Sequence, residues 1–464
     1  MCDSTDSQEQ QQQQEQPSGR KRATSKPCIK CKTAQPSVAI RLSVYCKDCF
    51  VKSAIVKFRS ALSKSRKRAP VSRTKVMVAL SGGATSSAML RLMDDYQHME
   101  LKGAAAEPIY AGVVVGHVDE STVFSGYEDT QICAIATDCG VDVVVARLED
   151  VFVPDSDQPA LLELVHATIA PSASRDQFCV QLAKNDGATP GRERLRALFA
   201  GLGSATDRED MLDILKTFLL TRLARQAQCE LLLMGDSGTR IAAKLVSLTS
   251  RGRGFSLPLE IGAESRLAGG VTVYRPMRDY IMKEIAFFNL WTKQRSVVVP
   301  TFTTGAPTTA SIDRLTEAFV VGLDRDFPST VSTVCRTVQK LELREDALDA
   351  LPCIVCNLPA EPNAQVWRNR LTVSEAPNAQ PALSNASAAL VTDVKAQHQS
   401  PFDVTAHLCY SCQSLLHFAK PGLALPAFCF ETYREHVKTA ANSTSNDWHQ
   451  RQETLRRQIE EFLL

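Results

Sequence analysis

The chain has 464 residues, 44% of them hydrophobic and 22% charged, with a formal net charge of +2. That length supports two or three domains and a sizeable core, and the near-neutral balance excludes a nucleic-acid face built on overall charge; such a face must come from local Lys and Arg clusters. No run of about 18 apolar residues occurs, so no membrane span is expected, and the polar, Gln-rich N-terminus does not read as a secretory signal peptide.

Residues 1–27 read as a disordered tail, with a Gln run at Gln10–Gln14 and a basic cluster at Arg20, Lys21 and Arg22. Such a composition cannot bury enough apolar surface to fold alone. The basic cluster reads as solvated, with RNA contact or a localisation signal as the alternative.

Residues 28–70 read as a zinc ribbon followed by a basic helix and linker. Cys28, Cys31, Cys46 and Cys49 flank Val38–Ile40 and Val44–Tyr45, which suit a small hairpin. Four thiolates at this spacing suit tetrahedral zinc, each Cys-X-X-Cys knuckle presenting two sulfurs to one ion. Four protein ligands leave no open position, so the site reads as architectural. Unligated thiols would leave so small a hairpin with almost no core. Without a signal peptide, paired cysteines favour zinc over disulfides and imply a reducing compartment, most simply the cytosol. Phe50–Leu62 reads as a helix with Ile55, Val56, Phe58 and Leu62 near one face. Lys52, Lys57, Arg59, Lys64, Arg66, Lys67, Arg68, Arg73 and Lys75 make the densest positive stretch in the chain. Phosphate contact and a solvated linker are equally consistent with it.

Residues 71–350 read as an α/β domain. Strands are expected at Val76–Leu80, Ile109–Val115, Val141–Ala146, Leu231–Met234 and Val271–Tyr274, with helices at Ser86–Met99, Glu128–Cys139, Asp210–Gln228 and Thr239–Ser250. Apolar, β-branched strands alternating with helices imply a mostly parallel sheet covered on both faces. The stretch KVMVALSGGATSSAML, Lys75 to Leu90, organises it. A buried strand, a Ser-Gly-Gly turn and a helix start make a phosphate cradle. Glycines let the backbone approach an anion, and helix N–H groups point at it. Ser81, Gly82, Gly83, Ser86 and Ser87 are the candidate contacts; an ordinary tight turn is the alternative. Gly116–Asp119 and Gly235–Gly238 are expected in loops at two other strand carboxyl ends, facing the same crevice, where such sheets take ligands. His117 reads as a loop residue, with ligand contact as the alternative.

The stretch 151–207 is less regular and contains Arg175, Arg192, Arg194 and Arg196. It reads as a surface loop, or as a lid whose arginines meet RNA. Residues 351–464 read as a C-terminal zinc-binding segment, in which Cys353 and Cys356 join Cys409 and Cys412 across a disordered insert near 362–400. The long spacer adds little closure cost. A redox pair or an iron–sulfur site is the alternative to zinc.

The Ser81-Gly82-Gly83 turn resembles the pyrophosphate loop of N-type ATP pyrophosphatases. Taken with CIKCKTAQPSVAIRLSVYCKDCF, SGGATSSAML, TDREDMLDILKTFLL, the stretch Gly235 to Leu248 and the C-terminal cysteine pairs, the chain resembles the cytoplasmic tRNA 2-thiolation protein 2 family over nearly its whole length. The resemblance implies a role in 2-thiolating the wobble uridine of cytosolic tRNAs for Lys, Glu and Gln. In that chemistry ATP adenylates the uridine C2 oxygen, and sulfur arrives from a thiocarboxylated ubiquitin-related modifier. The resemblance also implies a cytoplasmic heterodimer with a catalytic paralogue, in contact with tRNA.

Active relatives carry Ser-Gly-Gly-X-Asp-Ser, where this chain has Thr85. They carry Gly-His-Asn-Ala-Asp-Asp, where alignment on Gly235 places Thr239 and Arg240. Holding magnesium against a triphosphate needs those acids. Arg240 becomes a candidate phosphate contact, so ATP binding stays open while magnesium-assisted adenylation is disfavoured. Active relatives also use converging cysteines. Only Cys179 lies between Val145 and Cys229 here, and Cys133, Cys139 and Cys229 read as packing residues. No catalytic residue is assigned, and the expected role is a non-catalytic or weakly catalytic subunit. A sulfurtransferase using Cys179 or a C-terminal pair, and an ATP-binding zinc protein with another partner, are the alternatives.

Overall fold

The computed structural model describes residues 27–66, 74–100, 110–126, 129–153, 166–169, 178–182, 189–267, 270–327, 329–344, 347, 350–371, 404–420, 423–436 and 438. The expected N-terminal tail, most of the expected insert, the basic run 67–73 and Arg175 lie outside them. The chain divides into a unit ending at Ser53 and a unit beginning at Ala54.

In the first unit, β1 (Val38–Ile40) and β2 (Ser43–Tyr45) form an antiparallel hairpin, with Val38 opposite Tyr45 and Ile40 opposite Ser43. Val38 and Ile40 are buried and Ala39 is exposed, the alternation of a half-buried strand. Arg41 takes the left-handed conformation, φ 53°, that so tight a turn requires. Helix α1 (Lys47–Arg66) follows. Phe50, Ala54, Phe58, Ala61 and Leu62 are its buried residues, at spacings of three and four. Val56, expected near that face, is exposed, because two residues from Phe58 is about 200° around the helix.

The second unit contains β3 (Lys75–Ala79), β4 (Gly112–Asp119), β5 (Asp142–Arg147), β6 (His166–Ile169), β7 (Phe178–Leu182), β8 (Leu231–Leu233), β9 (Glu264–Arg266), β10 (Thr272–Tyr274) and β11 (Ala424–Leu425). Six of them form one sheet in the order β5-β4-β3-β8-β10-β9, parallel except for the edge strand β9. The expected parallel α/β architecture is therefore present. Strand β3 is central. Its Val76, Met77 and Val78 are fully buried between β4 and β8, which accounts for its unbroken apolar run. Strand β4 extends to Asp119, so Gly116–Asp119 belong to the strand and not to a loop after it. Strands β11, β7 and β6 form a small second sheet.

Helices α2 (Ala84–Glu100), α3 (Asp129–Thr137), α4 (Gly191–Gly201), α5 (Ala205–Gln226), α6 (Gly238–Ser250), α7 (Leu257–Ile261) and α8 (Met282–Thr292) accompany the sheet. The long α5 starts on a capping box, in which Ser204 accepts from the Asp207 N–H and Asp207 reaches back to the Ser204 N–H. Arg194 on α4 is buried with its guanidinium 4.4 Å from the Phe152 ring centre, and Arg192 pairs with Glu149 at 3.1 Å. Arg194 is thereby part of the packing of α4, while Arg192 and Arg196 are exposed on it. Helices α9 (Ile312–Asp326) and α10 (Thr330–Val338) then pack on α6.

The C-terminal part adds α11 (Ala364–Leu371), α12 (Tyr410–His417) and a helical stretch over 427–436. Its Ile354, Leu408, Leu415, Leu416 and Phe428 share one continuous core with Leu198, Met211, Leu215 and Leu219 of α4 and α5. Phe218 stacks on Phe428 at 4.0 Å. This lobe closes over the α/β layer instead of standing apart from it.

Candidate functional site

Strand β3 delivers the chain into the glycine turn. The Leu80 N–H donates to the Gly116 carbonyl at 2.9 Å, and the Leu80 carbonyl faces His117 Nδ1 at 2.7 Å. His117 is 2% exposed, and its Nε2 pairs with Asp129 of α3. The imidazole thus locks the residue before Ser81 and is a positioning group, not a ligand contact. Gly82 adopts φ 75°, and a Cβ there would sit 2.7 Å from Ile132 Cγ1. Only glycine meets both demands without strain. Ser86 Oγ donates to the Gly83 carbonyl at 3.1 Å and lies 3.2 Å from Ser81 Oγ; Ser87 Oγ donates to the Gly82 carbonyl at 3.2 Å. The Ser86 and Ser87 hydroxyls brace the turn from inside. The N–H groups of α2's first turn are the groups left to meet an anion if one binds.

Other segments converge on the turn. The Val297 N–H donates to the Gly82 carbonyl at 2.8 Å, and Asn289 Nδ2 donates to the Ala84 carbonyl at 2.8 Å. A Cβ on Gly235 would lie 3.1 Å from Ser86 Cα, so the loop after β8 touches the start of α2. Thr85, at the position of the missing acid, has its hydroxyl 3.9 Å from Met282 sulfur.

Arg240 is placed differently. It stands in the first turn of α6 with Nη1 4.0 Å from Glu317 of α9. Burial works against its charge, but Asp213, Glu317, Asp236 and Asp313 around it raise its pKa further. None of its contacts among the described residues is to the glycine turn. Asp236, the one acid left in the loop after β8, is 3.2 Å from Arg275 Nε and 3.5 Å from Lys244 Nζ. Burial would raise its pKa, yet Lys244, Arg275 and Arg240 outweigh that and hold it low. Its charge is thereby neutralised by cations of the protein. A second network, invisible in sequence, lies behind it: Arg253, 2% exposed, reaches both Asp210 oxygens at 3.0 and 2.9 Å, and Arg251 reaches Asp210 at 2.9 Å. A cavity of about 900 Å³ opens between α5, the ends of β8 and β10 and the C-terminal lobe, lined in part by Met234, Asp236, Lys244, Arg275 and Phe428.

Each of the two cysteine quartets gathers. In both, the four sulfurs lie within 4.8 Å of one another. Tetrahedral zinc with bonds of about 2.3 Å requires sulfurs about 3.8 Å apart. The Cys356 and Cys409 sulfurs are separated by 3.8 Å, so the donor sets fit a metal of this kind. The two centres share a construction. The Lys32 N–H donates to the Cys28 carbonyl and the Asn357 N–H to the Cys353 carbonyl, both at 2.8 Å, with Lys32 at φ 59° and Asn357 at φ 56°. Each first pair is therefore a tight knuckle. Each second pair sits at a helix N-terminus, Cys46 and Cys49 on α1 and Cys409 and Cys412 on α12, where the dipole favours thiolate. The second pairs were expected to form knuckles, and helix starts replace them. Hydrogen bonds, first from Thr33 and then from backbone N–H groups, hold the Cys31 thiol down to about 6. Hydrogen bonding within its quartet, first from Cys353, holds Cys356 far below the usual thiol range.

The geometry defines a class: an α/β protein with a mostly parallel sheet and a glycine turn after its central strand, carrying two four-cysteine centres that can hold metal. The profile of the family described as cytoplasmic tRNA 2-thiolation protein 2 matches residues 311–414. The human protein of that name is 34% identical over 70% of this chain and 69% of its own length, and the Danio rerio protein is 33% identical over 68% and 67%. The chain belongs to the cytoplasmic tRNA 2-thiolation protein 2 family. Among solved structures, the U34-tRNA thiolase NcsA from Methanococcus maripaludis with its [4Fe-4S] cluster is 16% identical, covering 69% of this chain and 91% of its own, with a TM-score of 0.47.

Proposed function

We propose that this chain is the non-catalytic, or only weakly catalytic, subunit of a cytoplasmic heterodimer that 2-thiolates the wobble uridine of the tRNAs for Lys, Glu and Gln. Family membership supports the role in tRNA thiolation. The observation that carries the division of labour is the state of the acids: Thr85 and Arg240 stand where acids belong, and Asp236 is paired with Arg275 and Lys244. A site that adenylates with ATP needs free carboxylates to hold magnesium against the triphosphate. The glycine turn, with Ser81, Gly82, Gly83, Ser86 and Ser87, keeps the shape of an anion cradle, and any nucleotide it takes is structural or regulatory. Catalysis and sulfur transfer from the thiocarboxylated ubiquitin-related modifier then fall to the paralogous partner. The exposed Leu315 and Phe319, four residues apart on one side of α9, suit a protein face for that partner, and α9 lies inside the family-matched range. Structural zinc occupies both quartets, and the N-terminal one with its adjoining basic stretch contributes to holding tRNA.

Thiolation assays on the purified chain, the paralogue and their mixture test this. Product is expected from the mixture. Product from this chain alone at the rate of the mixture would refute the proposal.

A further inference from the structure

Two large aromatic side chains stand exposed on the C-terminal lobe. Trp367, on α11, is 63% exposed, and Phe418, directly after α12, is 71% exposed. Helices α11 and α12 pack against each other along one seam; Trp367 lies on the first, and Phe418 directly follows the second. The Phe418 backbone is held firmly: its carbonyl oxygen would lie 2.8 Å from a Cβ on Gly203, and the Lys420 N–H donates to the Gly201 carbonyl at 2.7 Å. The ring is consequently presented outward from a rigid base. The His417 ring stands edge-on to it at 4.7 Å.

Cations flank the same seam. Arg368 follows Trp367 and is close enough to His417 to lower its pKa, an effect second to burial. Lys420 is exposed two residues beyond Phe418. The nearby carboxylate, Glu361, is turned inward and accepts the Tyr410 N–H at 3.0 Å, capping α12. The α9 side that exposes Leu315 and Phe319 is mixed in charge: Glu317 lies 4.0 Å from Arg240, and Asp326 lies 3.2 Å from Arg325. Aromatic planes among cations stack unpaired bases while the cations meet the backbone.

We propose that the Trp367–Phe418 surface is a stacking platform for unpaired nucleotides of the bound tRNA. The identity of the RNA rests on the tRNA-thiolation reading above; the platform itself is testable without thiolation. Fluorescence anisotropy of the full chain with a short labelled oligouridylate, and with a blunt RNA duplex of equal length, provides the test. Trp367→Ala and Phe418→Ala are each expected to weaken oligouridylate binding about tenfold. Trp367→Phe should retain most of it, and duplex binding should not change. Unchanged binding in both alanine variants, equal weakening on the duplex, or no oligouridylate binding by the native chain would overturn the platform. So would loss of the co-purifying paralogue with RNA affinity intact, which would mark a protein-docking face. Failure of the thiolation assay would instead strike the functional reading and leave these binding results standing.

Discussion

Gly82 carries two demands at once, a φ of 75° and a missing Cβ where Ile132 Cγ1 stands 2.7 Å away. Gly82→Ala is expected to cost about 1–3 kcal/mol, read as a lower urea midpoint; an unchanged midpoint would show that the turn relaxes freely. Arg253 presents a different liability. Buried charge pairs contribute little net stability, but removing one partner strands the other. Arg253→Met leaves Asp210 with only Arg251 and should cost about 3–5 kcal/mol in the same assay. His436 is buried, with Nδ1 3.0 Å from His407 Nδ1. Burial, and then His407, lower its pKa from 6.5 to about 4. The unfolded chain therefore takes up this proton before the folded one does. The contribution to stability is complete above the unfolded value and is lost as pH falls through the folded one. His436→Phe should flatten the decline between those two pH values by on the order of 3 kcal/mol, measured as the difference between wild-type and variant urea curves. Parallel curves would contradict the burial argument.

The two cysteine centres share a knuckle-plus-helix construction but sit in different surroundings. Cys353, Cys409 and Cys412 belong to the main hydrophobic core, whereas the N-terminal quartet lies in the unit that ends at Ser53. Elemental analysis is expected to give two zinc ions per chain, with Cys28→Ser and Cys353→Ser each removing one. Cys353→Ser should also lower the main thermal transition by much more than Cys28→Ser does; equal shifts would contradict the shared core. Much of this layout was legible in the residues. The quartets follow from spacing, and β3, β5, β8 and β10 from short apolar runs. Strand β9 was not legible, because Glu264-Ser265-Arg266 has no apolar signal and pairs only as an edge. The helix-start positions of Cys46 and Cys409 were also missed, since Cys-X-X-Cys looks alike in a knuckle and in a first helical turn. Helices α9 and α10 went unread, although α9 has a clear amphipathic period.

For the whole molecule, what escaped the sequence is chiefly charge pairing between distant segments. Nothing local tells that Asp236 meets Arg275, that Asp210 meets Arg253, or that Arg240 lies beside Glu317 and Asp313. Yet these pairs bear on whether the retained glycine turn can still serve chemistry. The most direct measurement is 2-thiouridine formation on unmodified tRNA by this chain alone, by the paralogue alone, and by their mixture, with Ser81→Ala and Thr85→Ala variants of this chain included. The account predicts product in the mixture, little or none from this chain alone, and no loss of product in either variant. Full activity from this chain alone, abolished by Ser81→Ala, would contradict it and place the chemistry at the glycine turn.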